Sequence, residues 1–339
     1  MSHRHPAGIV AAVVLLWVAT GAHPVAQSAE AERHFAAAKA AAQTDHLAIF
    51  DSTCGTVQPS LLSTPATPSR TVAADRASWH AEPVKVFDNL YFLGQTEYSA
   101  WAVTTSDGII IMDAIFDYSV EDEVINGLTK LGLDPKQIKY VIVSHAHGDH
   151  VGGARVLQDR GAKIVMSAAD WDLMDKANVA FAKPKRDVVA ADGQKLTLGD
   201  TTLTMYITGG HTLGTISTII PVKDRGMTYQ AAYWGGTAFN WARGSAGYIT
   251  PERPARFWYE TYAASAKRFK DIAGKVGASV LLSNHTSYDR TAIKTKALAS
   301  RAANAPNPYV IGAPAVQRFL TVAQECAEAG VAASGNSTK

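Results

Sequence analysis

The chain has 339 residues, 47% hydrophobic and 18% charged, a globular composition that admits one large domain or two modest ones. Its formal net charge is +2, and no basic run interleaved with aromatics occurs, which excludes the electrostatic footprint of a nucleic-acid binder. The partner this balance predicts is a small molecule.

Residues 1–28 carry the first signal. Arg4, between His3 and His5, precedes an apolar run from Ile9 to Ala19, and small residues follow, with Thr20-Gly21-Ala22, Ala26 or Ala29 as cleavage positions. A positive start, an apolar stretch of roughly 10 residues and small residues behind it describe a secretory signal peptide. The run is short beside the about 20 apolar residues of a membrane-spanning helix; an uncleaved anchor is the alternative. The mature protein is therefore expected in the periplasm or outside the cell, with no membrane span of its own. The sequence holds 2 cysteines, Cys54 and Cys326. In an oxidising compartment the pair invites a disulfide, with two buried thiols as the alternative.

Residues 29–78 read as a helical extension and linker. An alanine-rich helix is expected over 29–50, and the Ser/Thr/Pro-rich stretch from Ser60 to Ser69 reads as a loop. The main domain is expected over 79–300, followed by a C-terminal helical segment over 301–339 with its helix from Ala313 to Ala329. Within the main domain, Lys85–Leu93, Ala100–Thr105 and Gly108–Asp113 read as strands. Ser119 opens a helix with Glu121, Asp122 and Glu123 in its first turn and Gly132 just past its end. Tyr140–Ser144 is the next strand. Further strands are expected near 163–167, 195–198, 202–208, 216–221 and 279–283, with helices near 167–177 and 252–274. Mixed strands and helices of this kind predict an α+β chain with two sheets flanked by helices.

The chemistry concentrates where the Tyr140–Ser144 strand ends. Val141 to Gly153 reads V-I-V-S-H-A-H-G-D-H-V-G-G, which puts four metal-ligand candidates within six residues. His145 and His147 alternate, so a turning backbone can aim both imidazoles at one point, while Asp149 and His150 can face a second point nearby. Gly148 permits the tight path. Imidazole and carboxylate without thiolate suit a catalytic zinc site, with iron and manganese as chemically acceptable substitutes. Neither cysteine lies near this cluster. His34, His46 and His80 lie outside any ligand spacing and read as structural or surface residues.

H-A-H-G-D-H resembles the central metal motif of the metallo-β-lactamase superfamily, and the likeness extends over roughly residues 79 to 300. Gly209 to Thr215 (G-G-H-T-L-G-T) is similar to that family's third-histidine segment, Leu281 to His285 to its final strand, and Asp113 to its usual acidic residue after G-I-I-I-M. The resemblance implies a four-layer αβ/βα sandwich with two mixed β-sheets flanked by helices. It implies two zinc ions, one on His145, His147 and His211, the other on Asp149, His150 and His285, with Asp113 orienting a ligand. A bridging hydroxide would attack a carbonyl, and Asp149 would orient it and relay a proton. Many superfamily hydrolases carry a bridging aspartate after the third histidine. Here Tyr233 to Phe239 (Y-W-G-G-T-A-F) offers glycine instead, and no cysteine replaces it. That ligand set resembles the third subclass of metallo-β-lactamases, which implies a periplasmic β-lactamase. A lactonase, esterase or thioesterase is the alternative, and a zinc-binding protein without catalysis the third reading. Arg243 is a candidate for a substrate carboxylate and Trp241 for the pocket mouth, against a surface arginine and a packing tryptophan.

Overall fold

The computed structural model describes residues 29–62 and 75–335; the expected signal peptide lies outside them, as does most of the Ser/Thr/Pro stretch. Two helices come first, α1 (Ala29–Ala42) and α2 (Leu47–Val57). The first sheet holds β1 (Val84–Phe87), β2 (Leu90–Phe92), β3 (Trp101–Thr105), β4 (Gly108–Met112), β5 (Ile138–Ile142), β6 (Lys163–Ser167) and β7 (Val188–Ala190), hydrogen-bonded in that order. The β1–β4 pairs are antiparallel, and the β4–β7 pairs are parallel. The second sheet runs β12-β11-β10-β9-β8, from β8 (Lys195–Leu198), β9 (Thr201–Ile207), β10 (Ile216–Asp224), β11 (Met227–Trp234) and β12 (Val280–Ser283). Only its β11–β12 pair is parallel.

Between β4 and β7 lie α3 (Asn126–Lys130), entered through a π-helical turn at Glu121–Ile125, then α4 (Gly148–Val151), α5 (Ala154–Asp159) and α6 (Ala168–Lys176). The long α7 (Ala255–Lys275) precedes β12, and α8 (Thr291–Ala299) and α9 (Ala313–Ala333) follow it.

Side-chain alternation builds the layers. On β4, Ile110 and Met112 face the second sheet, where they join Leu203, Ile220 and Tyr233 in the core between the sheets. Ile109 and Ile111 point the other way, into a core with Leu128, Leu157 and Trp171 beneath the α3–α6 helices. A strand buried on both faces reads as an unbroken apolar run, which is why G-I-I-I-M shows no alternation in sequence. The outer face of the second sheet offers Ile219, Ala232 and Trp234 to α7, α9, α1 and α2, whose Phe269, Phe319, Phe35 and Phe50 fill that side. The result is helices, sheet, sheet, helices, as expected. Cys54 on α2 and Cys326 on α9 form a disulfide across a sequence separation of 272 residues.

Several boundaries differ from expectation. The stretch expected as one strand from Lys85 to Leu93 is a tight β1–β2 hairpin. The helix expected over 29–50 is two, broken where Gln43 takes a left-handed φ of 47°. Strand β11 lies beyond the expected set: Ala and Gln at its centre give a weak strand propensity. It forms because Arg225 and Gly226, both with positive φ, fold it back on β10 as a two-residue hairpin turn. The helix α8 was likewise not expected.

Candidate metal centre

Both sheets deliver ligand candidates to one edge of the sandwich, beyond the carboxyl ends of β5 and β12, the position where open α/β sheets bind ligands. The β5 end leads into His145, His147, Asp149 and His150; the β9–β10 loop carries His211; β12 runs into His285. His145, His150 and His211 are buried.

Hydrogen bonds to the outer ring nitrogens decide where the inner lone pairs point. His145 Nδ1 donates to the Gly235 carbonyl at 2.8 Å, and His211 Nδ1 to the Ala238 carbonyl at 2.7 Å. The Tyr248 hydroxyl donates to the His211 carbonyl at 3.0 Å and so accepts from His147 Nε2 at 2.9 Å. Each ring is thereby left with an unprotonated nitrogen facing the others: His145 Nε2 lies 3.0 Å from His211 Nε2, and His147 Nδ1 lies 3.1 Å from it. Three lone pairs at that separation repel one another unless a cation sits among them. Burial holds the His145 and His211 imidazoles well below the ordinary histidine range, and it lowers His147 to about 4. Neutral imidazole is the form that ligates metal.

A second cluster adjoins the first. His145, Asp149 and His150 offer ligand atoms within 4.8 Å of one another. Asp149 Oδ2 is 3.1 Å from His150 Nε2 and 3.5 Å from His285 Nε2. His285 thus stands at the outer side of this cluster. Carboxylate oxygens lie 3.0 and 3.1 Å from the two nitrogens of fully buried His150, yet neither contact is aligned as a hydrogen bond. Buried polar atoms left so are rare, and a metal ion would satisfy Nε2. Burial acts upward on Asp149, but His150 and His285 outweigh it and keep the carboxylate ionised. The donor set therefore fits divalent metal.

Asp113 sits behind His150 in a left-handed conformation, φ 60°. Its Oδ1 accepts from the Ser144 amide at 2.6 Å. Its Oδ2 accepts from the Ser144 hydroxyl at 2.8 Å and the Tyr233 hydroxyl at 2.6 Å, and lies 3.0 Å from His150 Nδ1. A strained residue held by this many partners marks a functional site.

Three residues the sequence did not single out complete the surroundings. Asp170 accepts from the Ala146 amide and the Thr212 hydroxyl with Oδ2, and from the Gly214 amide with Oδ1. It ties the first histidine loop to the third. Its only sequence mark is the S-A-A-D helix start, where the Ser167 hydroxyl accepts from the Asp170 amide. Tyr248 carries no sequence mark at all. Tyr288 packs its ring against His285, with centroids 5.4 Å apart, and its hydroxyl meets Ser52 of α2 at 2.8 Å.

The two candidate substrate contacts are Trp241 and Arg243. Trp241 is 3% exposed and packs on Phe239, Trp258 and Tyr259, so it is a packing residue and not a pocket mouth. The Arg243 guanidinium is exposed and hydrogen-bonded to Ser52 and Thr56 of α2. The other histidines among the described residues have protein partners: His34 meets Glu325, His80 meets Glu123, and His46 donates to the Ala315 carbonyl.

A sequence model of the metallo-beta-lactamase superfamily matches residues 93–225. A metallo-beta-lactamase type 2 of Bacillus sp. (strain 170) is 30% identical over 133 residues, and a hydroxyacylglutathione hydrolase of Acidiphilium cryptum (strain JF-5) is 30% identical over 179. The matches cover 39% and 52% of this chain, and 49% and 65% of those relatives' own lengths. Among solved structures, BJP-1, a subclass B3 metallo-beta-lactamase of Bradyrhizobium japonicum, superposes with a TM-score of 0.59 at 26% identity, over 70% of this chain and 89% of that one. FEZ-1 of Legionella gormanii, at TM-score 0.60 and 24% identity over 70% and 91%, shares the fold. The histidine motif at the end of β5, the sandwich around it and these matches agree: residues 93–225 match the metallo-beta-lactamase superfamily's domain, and the chain is similar in fold to subclass B3 enzymes.

Proposed function

We propose that this chain is an exported zinc hydrolase that opens β-lactam rings, with one ion on His145, His147 and His211 and a second on Asp149, His150 and His285. The observation that carries the reading is the glycine pair after β11. Gly235 and Gly236 lie against the cluster, and a Cβ at Gly236 would stand 2.7 Å from the His211 side chain. No carboxylate can project from that position to bridge two ions, so the ligand set is three histidines plus Asp-His-His. The subclass B3 enzyme at 26% identity supports the same reading.

Bound ions would supply Lewis acidity and a water that ionises near neutral pH. The chain's own groups do the rest. The outer hydrogen bonds of His145, His147 and His211 keep their inner nitrogens free of protons. Asp149 orients the attacking water and relays its proton toward the departing amide nitrogen. The run ahead of residue 29 supports export.

A second reading has its own support: hydroxyacylglutathione hydrolases are among the 30% relatives, and the same site serves a thioester. The test is hydrolysis of a penicillin, a cephalosporin, a carbapenem, an acyl-homoserine lactone and a thioester by the mature, zinc-loaded protein, with His145→Ala in parallel. Chelator-sensitive loss of the β-lactams, abolished in the variant, is expected. Turnover confined to thioester or lactone would replace the leading reading with the second. Metal bound without turnover of any substrate would make the protein a binding module.

A further inference from the structure

Tyr288 faces two ways. Its ring packs on His285, and it also lines a cavity of about 230 Å³ between the start of α2, α8 and the segment leading into α9. Apolar cavities of roughly 150 Å³ hold a benzene-sized molecule, so this one has room for a somewhat larger guest. Leu281, Ile293, Ala297 and Ile311 give it an apolar wall, and polar groups line the rest, with Arg290 and Lys294 as its cations.

Those polar groups are incompletely matched. Lys294 on α8 is 7% exposed. Its ammonium makes one hydrogen bond, a long one of 3.3 Å to the Leu281 carbonyl, and lies 5.1 Å from the Tyr309 ring centre. Asp289 is close enough to act on it at longer range, but both its oxygens are taken by the Ser283 amide and by the amide and hydroxyl of Thr291. A buried ammonium with so few hydrogen-bond partners is unfavourable, and burial lowers this amine to about 8 against the opposing pull of the Asp289 charge. On the same lining, His46 is 3% exposed and donates through Nε2 to the Ala315 carbonyl, so Nδ1 is an acceptor, buried and unpartnered. Asp45 Oδ2 is held by Arg318, while its Oδ1 is buried without a partner.

A spare cationic donor, two spare acceptors and an apolar wall call for one complementary molecule. We propose that this cavity binds a small carboxylic acid with an apolar side chain and a hydrogen-bond donor beside the carboxylate, that is, an α-amino or α-hydroxy acid. The carboxylate pairs with Lys294, the donor with His46 Nδ1 and Asp45 Oδ1, and the side chain packs on Ile293 and Ile311. This site is separate from the metal centre and does not depend on which substrate that centre hydrolyses. Its occupant would touch Tyr288 and through it His285.

Calorimetric titration of the full, metal-loaded chain with leucine, 2-hydroxy-4-methylpentanoate, 4-methylpentanoate and 3-methylbutan-1-ol tests this. One-to-one binding of leucine or the hydroxy acid is expected, at least tenfold tighter than 4-methylpentanoate, with none for the alcohol. The tighter of the first two identifies the donor. Lys294→Met should weaken binding at least tenfold and leave the melting temperature unchanged or raised. His46→Leu should remove the preference for acids with a donor, and it serves as the test if the lysine variant does not fold. Absence of saturable binding, equal binding by both variants, or binding abolished by chelating the metal would overturn the proposal.

Discussion

At Asp170 one buried carboxylate joins two loops that carry His145, His147 and His211, through donors at Ala146, Thr212 and Gly214. Burial pushes its acidity up to about 6, against the partial pull of those donors. The folded state therefore binds a proton more tightly than the unfolded chain between pH 4 and 6. The stability this supplies is present below about pH 4 and is lost as pH rises through 6, a total of about 3 kcal/mol. In metal-free protein, the stability difference between wild type and Asp170→Asn should shrink by that amount over the range, measured by urea unfolding at each pH. A difference that stays flat would mean that Asp170 is ionised throughout and that its donors outweigh burial. Asp170 was not legible in the sequence because an aspartate three residues after a helix-starting serine reads as an ordinary first-turn acid. Its role comes from loops 24 and 42 residues away.

The element with the least obvious purpose is α2. It lies outside the stretch matched by the family model, yet its Ser52 holds the Tyr288 hydroxyl and, with Thr56, the Arg243 guanidinium. The disulfide from Cys54 to α9 keeps it there. Closing so long a loop stabilises chiefly by restricting the unfolded chain. The Cys54→Ser, Cys326→Ser double variant should lose about 2–5 kcal/mol, read as a lower urea midpoint. An unchanged midpoint would mean that Phe35, Phe50 and their neighbours hold the N-terminal helices unaided. The helical character of 29–50 was legible in its alanines, but the break at Gln43 was not. No glycine or proline marks it, and packing against α9 imposes the change of direction.

For the whole molecule, the metal centre is a joint between the two sheets. The first sheet contributes His145, His147, Asp149 and His150 from the end of β5, and the second contributes His211 and His285. An ion shared by those ligands binds the folded chain and not the unfolded one, so stability rises with the logarithm of free metal. Chelation should lower the melting temperature in calorimetry while leaving far-ultraviolet circular dichroism nearly unchanged, because the ligands sit on loops and not within strands. A melting temperature indifferent to chelator would mean that the two clusters do not hold metal across the sheets.

What the sequence by itself determined is local: the ligand candidates of H-A-H-G-D-H, the apolar runs that become buried strands, and the alternation of strands with helices that predicts two sheets between helices. Those follow from residue type and short spacing, which survive without tertiary context. The tertiary structure alone decided which lone pairs converge, because the carbonyls of Gly235 and Ala238 and the hydroxyl of Tyr248 set the imidazole tautomers from 27 to 101 residues away. It likewise packed Trp241 on Phe239, Trp258 and Tyr259 and tied Arg243 to Ser52 and Thr56 of α2. A long side chain reaches whatever the fold brings within range, and nothing in its neighbouring sequence says what that will be.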